Sequence, residues 1–468
     1  MKYLIPLAFA VALFFYHPVL DFYFFQDDFF EINISQAQNF GQYLSFFKFR
    51  DDIIAYRPIS LENYFFISRS LFDLNPIGFR LITFFLFFLS GLAIYKLAQT
   101  VFKNTQTAVV AGFLWLTSSI HFMSLTWIAA AYNIIGTFFY LAASVVFLKY
   151  LKNKKIYLYI LSFLIFIVTI GSYEFSVTWP AIWGFYYFFV LKNPLLTSLK
   201  LFSPYIIVSA AYILIRLIFI KVPQIPEYQI AVGVDSIKSY LWYLLWTFNI
   251  PEEFKKQAAV NLIGLRPIFL AEFWTLTAKS FISFLYLIIL AVAVPVFLVV
   301  KEKINLNIRL IFFFLAFFTI AISPVLILPN HTFSMYLTLA AVGLYALLAY
   351  LLAITNNRLL LASVLAIWLF SSATTVGFYR HNSWMIESQK TARTFAVNML
   401  EKFPSLPKNS IAYYHLPYSW QHQALGDGHA IKTIYNDQTL SIYYNEKNLR
   451  KDFGEGKLKG AVYVYYEE

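Results

Sequence analysis

Two adjacent carboxylates, Asp27 and Asp28, interrupt an aromatic-rich run, "DFYFFQDDFFEI", soon after the first apolar segment. One carboxylate of such a pair could act as a general base on a hydroxyl while its neighbour orients it. Hard carboxylate oxygens also suit Mg²⁺ or Mn²⁺, so a metal in this chain would be expected on the same pair. The alternative is an aspartate that caps a helix or lies in a solvated loop.

Three further charged residues lie in apolar or aromatic surroundings. Arg57 in "YRPIS" precedes a proline, which favours an extended backbone, and guanidinium groups bind phosphate through two hydrogen bonds. Glu174 in "GSYEFSVTWP" and Arg216 in "AYILIRLIFI" would be costly to bury unpaired. We therefore expect Arg216 to pair with such a carboxylate or to contact a phosphate. A snorkelling Arg57 and a purely structural ion pair at Arg216 are the alternatives.

Two histidines lie next to apolar segments, His121 in "SSIHFMSLTW" and His331 in "LPNHTFSMY". A lone histidine at such a position is more often a hydrogen-bonded structural residue than a ligand. The chain has no cysteine and no His-Glu spacing typical of zinc sites, so the case for zinc is weak. The lack of cysteine also excludes disulfides.

The elements that position these residues are predicted to be membrane helices. Of the 468 residues 60% are hydrophobic and 13% are charged, against roughly 25% charged in soluble domains. Apolar stretches of about 17 to 25 residues, the length that spans a bilayer, recur along the chain. We predict an α-helical polytopic membrane protein with about eleven spans. The predicted spans are 3–20, 78–97, 107–122, 130–150, 156–173, 175–191, 201–220, 279–300, 305–325, 335–354 and 359–378.

The net charge of +12 comes without a Gly-rich RNA motif, zinc spacing or basic recognition helix, so nucleic acid is not expected as a partner. Lysine and arginine concentrate instead in short connections such as "KYLKNKK", which predicts that these connections are cytoplasmic. No small-x-small cleavage site precedes Asp21, so the first segment is predicted to be a retained span. The N-terminus is then cytoplasmic, and the loops 21–77, 121–129, 221–278 and 326–334 and the turn at Glu174 face outward.

Two domains are expected: a membrane module over 1–378 and a small extracytoplasmic α+β domain over 379–468. The outer loops contain "QAQNFGQYLSFFKF" and "SIKSYLWYLLWTF", whose mixture of aromatic and polar residues predicts interfacial helices. A polar helix, "NSWMIESQKTARTFAVNMLEKF", is expected after the last span. The alternating runs "SIAYYHL", "AIKTIY", "LSIYY" and "GAVYVYY" that follow it predict strands.

Several motifs, taken in order, resemble the GT-C class of membrane glycosyltransferases, especially the protein O-mannosyltransferase branch and its bacterial relatives. They are "QDD", "YRPISLENYFF", "NPIGF", "SSIHFMSLTWIAAAYN", "SYEFSVTWP", "LPNHTFSMYLTL" and "RHNSW". The resemblance covers most of residues 1–390. Tyr173 stands where relatives often have lysine, and "AAAYN" lacks their arginine, so the contacts to the donor phosphate are expected to differ.

The resemblance implies an integral membrane enzyme that transfers a sugar, with inversion, from a polyprenyl-phosphate donor to an acceptor hydroxyl on a glycan, lipid or protein. The brevity of the chain and its short loops favour the plasma (inner) membrane and the cell envelope over the endoplasmic reticulum as its location. No cofactor is required, although a divalent cation remains compatible with the aspartate pair. Asp27 would be the base and Asp28 its helper or an acceptor contact, with the exchange of these two roles as the alternative. The donor phosphate would be bound by Arg57, with His331 and Arg216 as further candidates. The remaining predicted substrate-cavity residues are Tyr56, His121, Glu174 and Tyr336.

Other classes of protein fit parts of the pattern. A polysaccharide polymerase or ligase uses the same lipid carriers, but cationic residues would be expected to dominate its main outer loop. A transporter of lipid-linked sugars would typically show broken helices and repeat symmetry, and the sequence shows neither. A non-catalytic scaffold would tolerate replacement of Asp27.

Overall fold

A computed structural model describes residues 4–50, 55–220, 224–258, 265–458 and 462–465. The first part of the chain forms α1 (Leu4–Tyr16), α2 (Asp27–Ile34), α3 (Phe40–Ser45), α4 (Tyr64–Phe72), α5 (Pro76–Phe102), α6 (Thr105–Leu116), α7 (Phe122–Thr126) and α8 (Tyr132–Asn153). The middle part forms α9 (Ile156–Ile170), α10 (Trp179–Phe185), α11 (Leu195–Phe219), α12 (Val234–Trp246), α13 (Glu253–Gln257), α14 (Pro267–Glu272), α15 (Trp274–Ile288) and α16 (Val294–Lys301).

Four longer helices follow, α17 (Ile308–Leu326), α18 (Leu337–Ile354), α19 (Arg358–Asn382) and α20 (Trp384–Lys402). Short 3-10 helices cover His17–Asp21, Ser119–His121, Ile128–Ala131, Glu174–Thr178, Pro226–Tyr228, Ser334–Tyr336 and Gly426–Gly428. Short π-helical segments cover Ile59–Asn63, Tyr186–Val190 and Ile289–Ala293.

All eleven apolar windows of the sequence lie largely on helical segments, and the prediction of a polytopic helical membrane protein is confirmed. Within the described residues, eight helical stretches are long and apolar enough to cross a membrane, or nine if the bent pair Thr105–Leu116 and Ser119–Thr126 forms one span. The count is lower than eleven because α9 has only 15 residues. The window 175–191 is also divided, because it is built from 3-10, α and π pieces in succession.

The predicted outer loops and the basic connections lie at opposite ends of the helix bundle. At one end Ala129 contacts Asp28, Glu174 contacts Arg57, and Lys255 Nζ donates to the carbonyl of Pro329 at 3.0 Å. The predicted outer loops therefore meet. Basic connections share the other end. There Asn307 N donates to Tyr350 Oη at 3.1 Å, and the guanidinium of Arg309 lies 6.0 Å from the ring of Phe189.

The C-terminal segment contains β1 (Ile411–Tyr414), α21 (Ser419–Ala424), α22 (His429–Ile434), β2 (Ser441–Tyr443), α23 (Glu446–Gly454) and β3 (Val462–Tyr465). The strands pair in parallel in the order β2-β1-β3, with Ile411 opposite Ser441 and Val462. The prediction of a strand at "AIKTIY" is wrong, because these residues form α22. The run "GAVYVYY" lies partly outside the described residues, and β3 is its described part.

The predicted interfacial and polar helices are present. The run "QAQNFGQYLSFFKF" contains α3, "SIKSYLWYLLWTF" contains most of α12, and the polar stretch after the last span forms α20. Phe40 and Leu44 on α3 are exposed, as expected of a helix that lies in the membrane interface.

Candidate functional site

Asp28 is a buried anchor in the first turn of α2. Its Oδ2 accepts from the backbone N–H of Phe25 at 3.1 Å, and its Oδ1 accepts from Ala129 N at 2.7 Å. Burial raises the pKa of Asp28 to about 7, although nearby Arg80 and the two N–H donors oppose that shift. Asp28 therefore fastens the start of α2 to the 3-10 turn Ile128–Ala131, and its oxygens already have partners.

Asp27 is the accessible member of the pair. Its side chain reaches solvent, while that of Asp28 is fully buried. The surrounding protein still removes enough water to raise the pKa of Asp27, and the charge of Asp427 adds to this shift. A general base needs a pKa near the working pH and an open path to its substrate. Of the two carboxylates, Asp27 has the open path, and burial moves its pKa upward from the usual value of a carboxyl.

Glu174 forms ion pairs with two arginines. Its Oε2 accepts from Arg57 Nε at 2.8 Å, and its Oε1 accepts from Arg216 Nη1 at 3.1 Å. Burial alone would raise the pKa of Glu174, but the two guanidinium groups lower it to about 2. The group keeps one excess positive charge at neutral pH. We call Arg57, Glu174 and Arg216 the arginine cluster.

Hydrogen bonds to backbone carbonyls bring Arg57 to Glu174 across the loops. Ile59 N donates to the carbonyl of Gly171 at 3.0 Å, and Ser60 Oγ donates to the carbonyl of Ser172 at 2.5 Å. Arg57 precedes Pro58 in an irregular segment, and Glu174 begins the 3-10 turn that follows α9. The two short segments run side by side, so their polar side chains meet at the end of the bundle.

Aromatic residues surround the arginine cluster. The Arg57 guanidinium carbon lies 3.5 Å from the centroid of the Tyr132 ring, a cation–π contact. The ring of His331 lies 6.0 Å from Tyr336 and 4.8 Å from Tyr228. Burial lowers the pKa of His331, and the positive charge of Arg57 lowers it further. His331 is therefore neutral at pH 7 and can donate one N–H.

Asp27 and the arginine cluster share neighbours. Burial raises the pKa of Glu31, the charges of Glu62 and Asp27 raise it further, and Arg57 lowers it. Burial also raises the pKa of Tyr228, with smaller effects of Asp27 and Arg57. Among the ion pairs of the described residues none joins Asp27 to Arg57. The carboxylate and the guanidinium thus border one region without neutralising each other.

His121 and the hydroxyl of Tyr56 have partners outside the arginine cluster. His121 is fully buried, its Nε2 lies 2.8 Å from the carbonyl of Trp115, and its ring packs 4.2 Å from the Trp115 ring. His121 thus has the structural, hydrogen-bonded role that its sequence context favours, and its side chain does not contact the arginine cluster. Tyr56 directs its hydroxyl to the carbonyl of Phe47 at 3.1 Å and stacks on Phe49. The other predicted residues lie at the same end of the bundle: Asp27, Asp28, Arg57, Glu174, Arg216, His331 and Tyr336.

Sequence reasoning missed four residues of this region: Glu31, Tyr132, Tyr228 and Asp427. Glu31 follows Asp27 by four positions, so helical spacing could have placed both carboxylates on one face of α2. Asp427 stands in a Gly-Asp-Gly turn, which indicates a turn but not its neighbours. Nothing in the sequence distinguishes Tyr132 or Tyr228 from the many other tyrosines.

The site does not fit a metal held by the aspartate pair. Asp28 is fully buried and each of its oxygens already accepts a backbone hydrogen bond, so Asp27 is the member of the pair that is open to a metal ion. In the described ranges, no group of three or more histidine, aspartate or glutamate side chains is placed to hold a metal ion.

Neither a protein-family model nor a curated protein sequence matches the chain. Among solved structures it is similar to the Archaeoglobus fulgidus oligosaccharyltransferase tethered with an acceptor peptide, with 14% identity and a TM-score of 0.48 over 96% of this chain and 64% of that chain. For the apo form the TM-score is 0.47 at 14% identity, over 96% of this chain and 65% of that chain. For the archaeal enzyme AglB in complex with an inhibitory peptide and a dolichol-phosphate, the TM-score is 0.46 at 13% identity, over 95% and 64% of the two chains.

The chain thus spans about 64% of the length of the oligosaccharyltransferase structures that it matches. A match at this identity and score does not establish an activity. The activity of this chain has to be inferred from the contacts and charges of its own residues.

Proposed function

We propose that the chain is a GT-C-type inverting glycosyltransferase that moves a sugar from a polyprenyl-phosphate donor to an acceptor hydroxyl at the outer face of the plasma membrane. One observation carries the proposal. An accessible aspartate, Asp27, and an arginine cluster with excess positive charge border the same region at one end of a helical membrane bundle. A displacement at a sugar carbon needs a base on one side and a cation at the leaving phosphate on the other.

In the proposed reaction the acceptor hydroxyl attacks the anomeric carbon of the sugar while Asp27 takes the hydroxyl proton. A carbon–oxygen bond forms to the acceptor, and the bond from the anomeric carbon to the phosphate oxygen breaks with its electron pair left on that oxygen. The leaving group is the lipid phosphate, whose charge grows as the bond breaks. One in-line step of this kind inverts the anomeric centre.

The arginine cluster supplies the charge for the leaving group. Glu174 uses Nε of Arg57, so the two terminal amino groups of that guanidinium remain for phosphate oxygens in the described structure. Arg216 and the N–H of a neutral His331 are further candidates. Preorganised cations and donors of this kind stabilise charge that develops in the transition state.

The separation of Asp27 from Arg57 supports this arrangement. A direct ion pair between them would cancel the base and the cation, and the sugar has to lie between them for an in-line displacement. The lipid tail of the donor would lie in the bilayer, where the exposed apolar faces of the spans meet it. A mannosyl donor, as in the protein O-mannosyltransferase branch, is the finer form of the proposal, and the acceptor is a glycan, a lipid or a protein.

The test is transfer of radiolabelled sugar by the purified protein in lipid, with a panel of polyprenyl-phosphate sugars and a membrane extract as the source of acceptors. Asp27→Asn is expected to lower kcat by about 10²- to 10⁴-fold, because a general base contributes about that much, with donor binding unchanged. The matched control is Asp235→Asn, since Asp235 is an outer-loop aspartate whose side chain is 62% exposed. A wild type that transfers sugar from no donor, or an active wild type that Asp27→Asn equals, would overturn the proposal.

A further inference from the structure

The residue before Asp27 has an unusual backbone conformation. Gln26 has φ 53° and ψ −126°, a region that side-chain-bearing residues rarely occupy. Gln26 caps α2, so its two dihedral angles set the direction in which α2, and with it Asp27, leaves the preceding loop. Backbone strain of this kind persists where the surrounding structure holds it and is often found at functional sites.

The C-terminal segment holds this conformation. The N–H of Gln26 donates to the carbonyl of Ala424 at 2.9 Å, a hydrogen bond between residues about 400 positions apart. Gly426 then approaches Gln26 so closely that a Cβ on it would lie 2.8 Å from the Gln26 carbonyl oxygen. Gly426 itself has φ 58°, so a glycine is favoured there on two counts.

Further contacts hold the rest of α2 on α22. Asn33 Nδ2 donates to the carbonyl of His429 at 3.0 Å, and Thr433 Oγ1 donates to Asn33 Oδ1 at 3.2 Å. The rings of Phe30 and His429 lie 5.1 Å apart, edge to face. Because α2 is held at both ends, a change at Gly426 would act on the angle of its first turn more than on its docking.

Asp427 adds a charge at the same place. It is exposed, has φ 47°, and lies close enough to Asp27 to raise the pKa of that residue. The titratable groups that interact electrostatically with Asp27 are Asp427 from this turn, Asp28 and Glu31 from α2, and Tyr228 from the second outer loop. Of these, Asp427 is the one supplied by the C-terminal segment.

We propose that the Gly426–Gly428 turn is a positioning element of the catalytic site, which fixes the backbone at Gln26 and places the carboxylate of Asp27 for proton transfer. This rests on the proposed function, since it takes Asp27 as the base. The C-terminal segment would then be a working part of the enzyme. A purely structural role would be to hold α2 in place without affecting the chemical step.

Gly426→Ala tests the proposal against a matched control, Gly456→Ala. Gly456 also has a positive φ, 67°, but a Cβ on it would meet nothing within 4 Å. Both variants thus carry similar left-handed strain, and only Gly426→Ala pushes on Gln26. We expect Gly426→Ala to lower kcat by about 10- to 100-fold, because a misplacement of about 1 Å can cost that much. The donor KM should stay within about twofold, and Gly456→Ala should match the wild type.

Asp427→Asn serves as a second variant that leaves the backbone unchanged, so it decides the matter if Gly426→Ala does not fold. Removal of the Asp427 charge lowers the pKa of Asp27, so the acid limb of the kcat/KM profile should move to lower pH, and Asp427→Glu should restore it. An unmoved acid limb, or a folded Gly426→Ala variant with the wild-type kcat, would overturn the inference alone. Equal losses in Gly426→Ala and Gly456→Ala would also overturn it. A wild type that transfers nothing would instead overturn the proposed function, and with it this inference.

Discussion

Glu174 shows how a single side chain sets the charge of the site. Two bare guanidinium groups at this depth would repel each other and lose hydration, while two carboxylates between them would leave no charge for a phosphate. With one carboxylate the arginine cluster keeps its two arginines together and retains one positive charge. The same ion pairs fix the orientation of Arg57 against Tyr132.

We predict that Glu174→Gln lowers the free energy of unfolding by about 3 kcal/mol, because removal of one partner leaves uncompensated charges in a partly buried site. The measurement is thermal or SDS-induced unfolding of the purified protein. Glu387→Gln is the control, since Glu387 also pairs with a cation, Lys390, but its side chain is 62% exposed, and an exposed ion pair is worth about 0.2–1 kcal/mol. Equal effects of the two substitutions would contradict the assignment.

The effect of Glu174→Gln on stability is expected to depend on pH. The pKa of Glu174 in the folded protein is about 2, below its value in an unfolded chain of about 4.3. The stability that Glu174 contributes is therefore complete above about pH 4.3 and is lost as the pH falls towards 2. The difference in Tm between wild type and Glu174→Gln should shrink over that range and stay constant from pH 5 to 8.

For single residues, the sequence identifies the charged side chains of the site but not the distances between them. Asp27, Arg57, Glu174 and Arg216 are conspicuous because charges are rare and costly in apolar surroundings. The division of roles between Asp27 and Asp28 depends on which one is buried, and adjacent residues on a helix are distinguished only by packing. Asp427 could not be connected to Asp27 from the sequence, because the two residues, whose charges interact in the folded chain, are about 400 positions apart.

Long secondary-structure elements can be predicted from the sequence. Helices such as α5, α8 and α18 are apolar over enough residues to be predicted from hydropathy alone. The short run "AIKTIY" was not decidable in this way. Of its buried residues, Ile431 and Thr433 alternate as in a strand, whereas Ala430 and Thr433 are three positions apart as on a helical face, and a run of six residues cannot separate the two periods. Parallel pairing of β1 with β2 needs a crossover connection, and α22 is part of it.

The packing of α8 against the segment before Glu174 also affects the site, because Gly136 on α8 lies against that segment. A Cβ on Gly136 would lie 2.3 Å from the Cβ of Tyr173, the residue that precedes Glu174. We predict that Gly136→Ala displaces Tyr173 and Glu174 and lowers kcat/KM for the donor by at least about tenfold. The assay is sugar transfer at varied donor concentration.

Gly377→Ala on α19 is the matched control for Gly136→Ala. It is also a glycine inside a membrane helix, and a Cβ there would meet nothing within 4 Å. Its activity should match the wild type. Wild-type kinetics in a folded Gly136→Ala variant would show that the site tolerates movement of the turn at Glu174.

In the whole molecule, the candidate site and the basic connections lie at opposite ends of the bundle. The predicted site residues gather where the outer loops meet, and the basic connections share the opposite end. An excess of lysine and arginine marks the cytoplasmic side of membrane proteins, so the site is predicted to face outward. A donor carried on a lipid phosphate fits this location, because it needs no nucleotide from the cytoplasm.

The absence of cysteine allows a direct test of this orientation, because each introduced thiol is the only one in the chain. Lys408→Cys lies at an exposed position of the C-terminal segment, and Lys152→Cys lies at an exposed position of a basic connection. In intact cells a membrane-impermeant maleimide should label Lys408→Cys at once and should label Lys152→Cys only after the membrane is permeabilised. Labelling of both thiols in intact cells would contradict the two-ended arrangement. The reverse pattern would place Asp27 and the arginine cluster in the cytoplasm, where a lipid-linked sugar of the outer leaflet could not reach them.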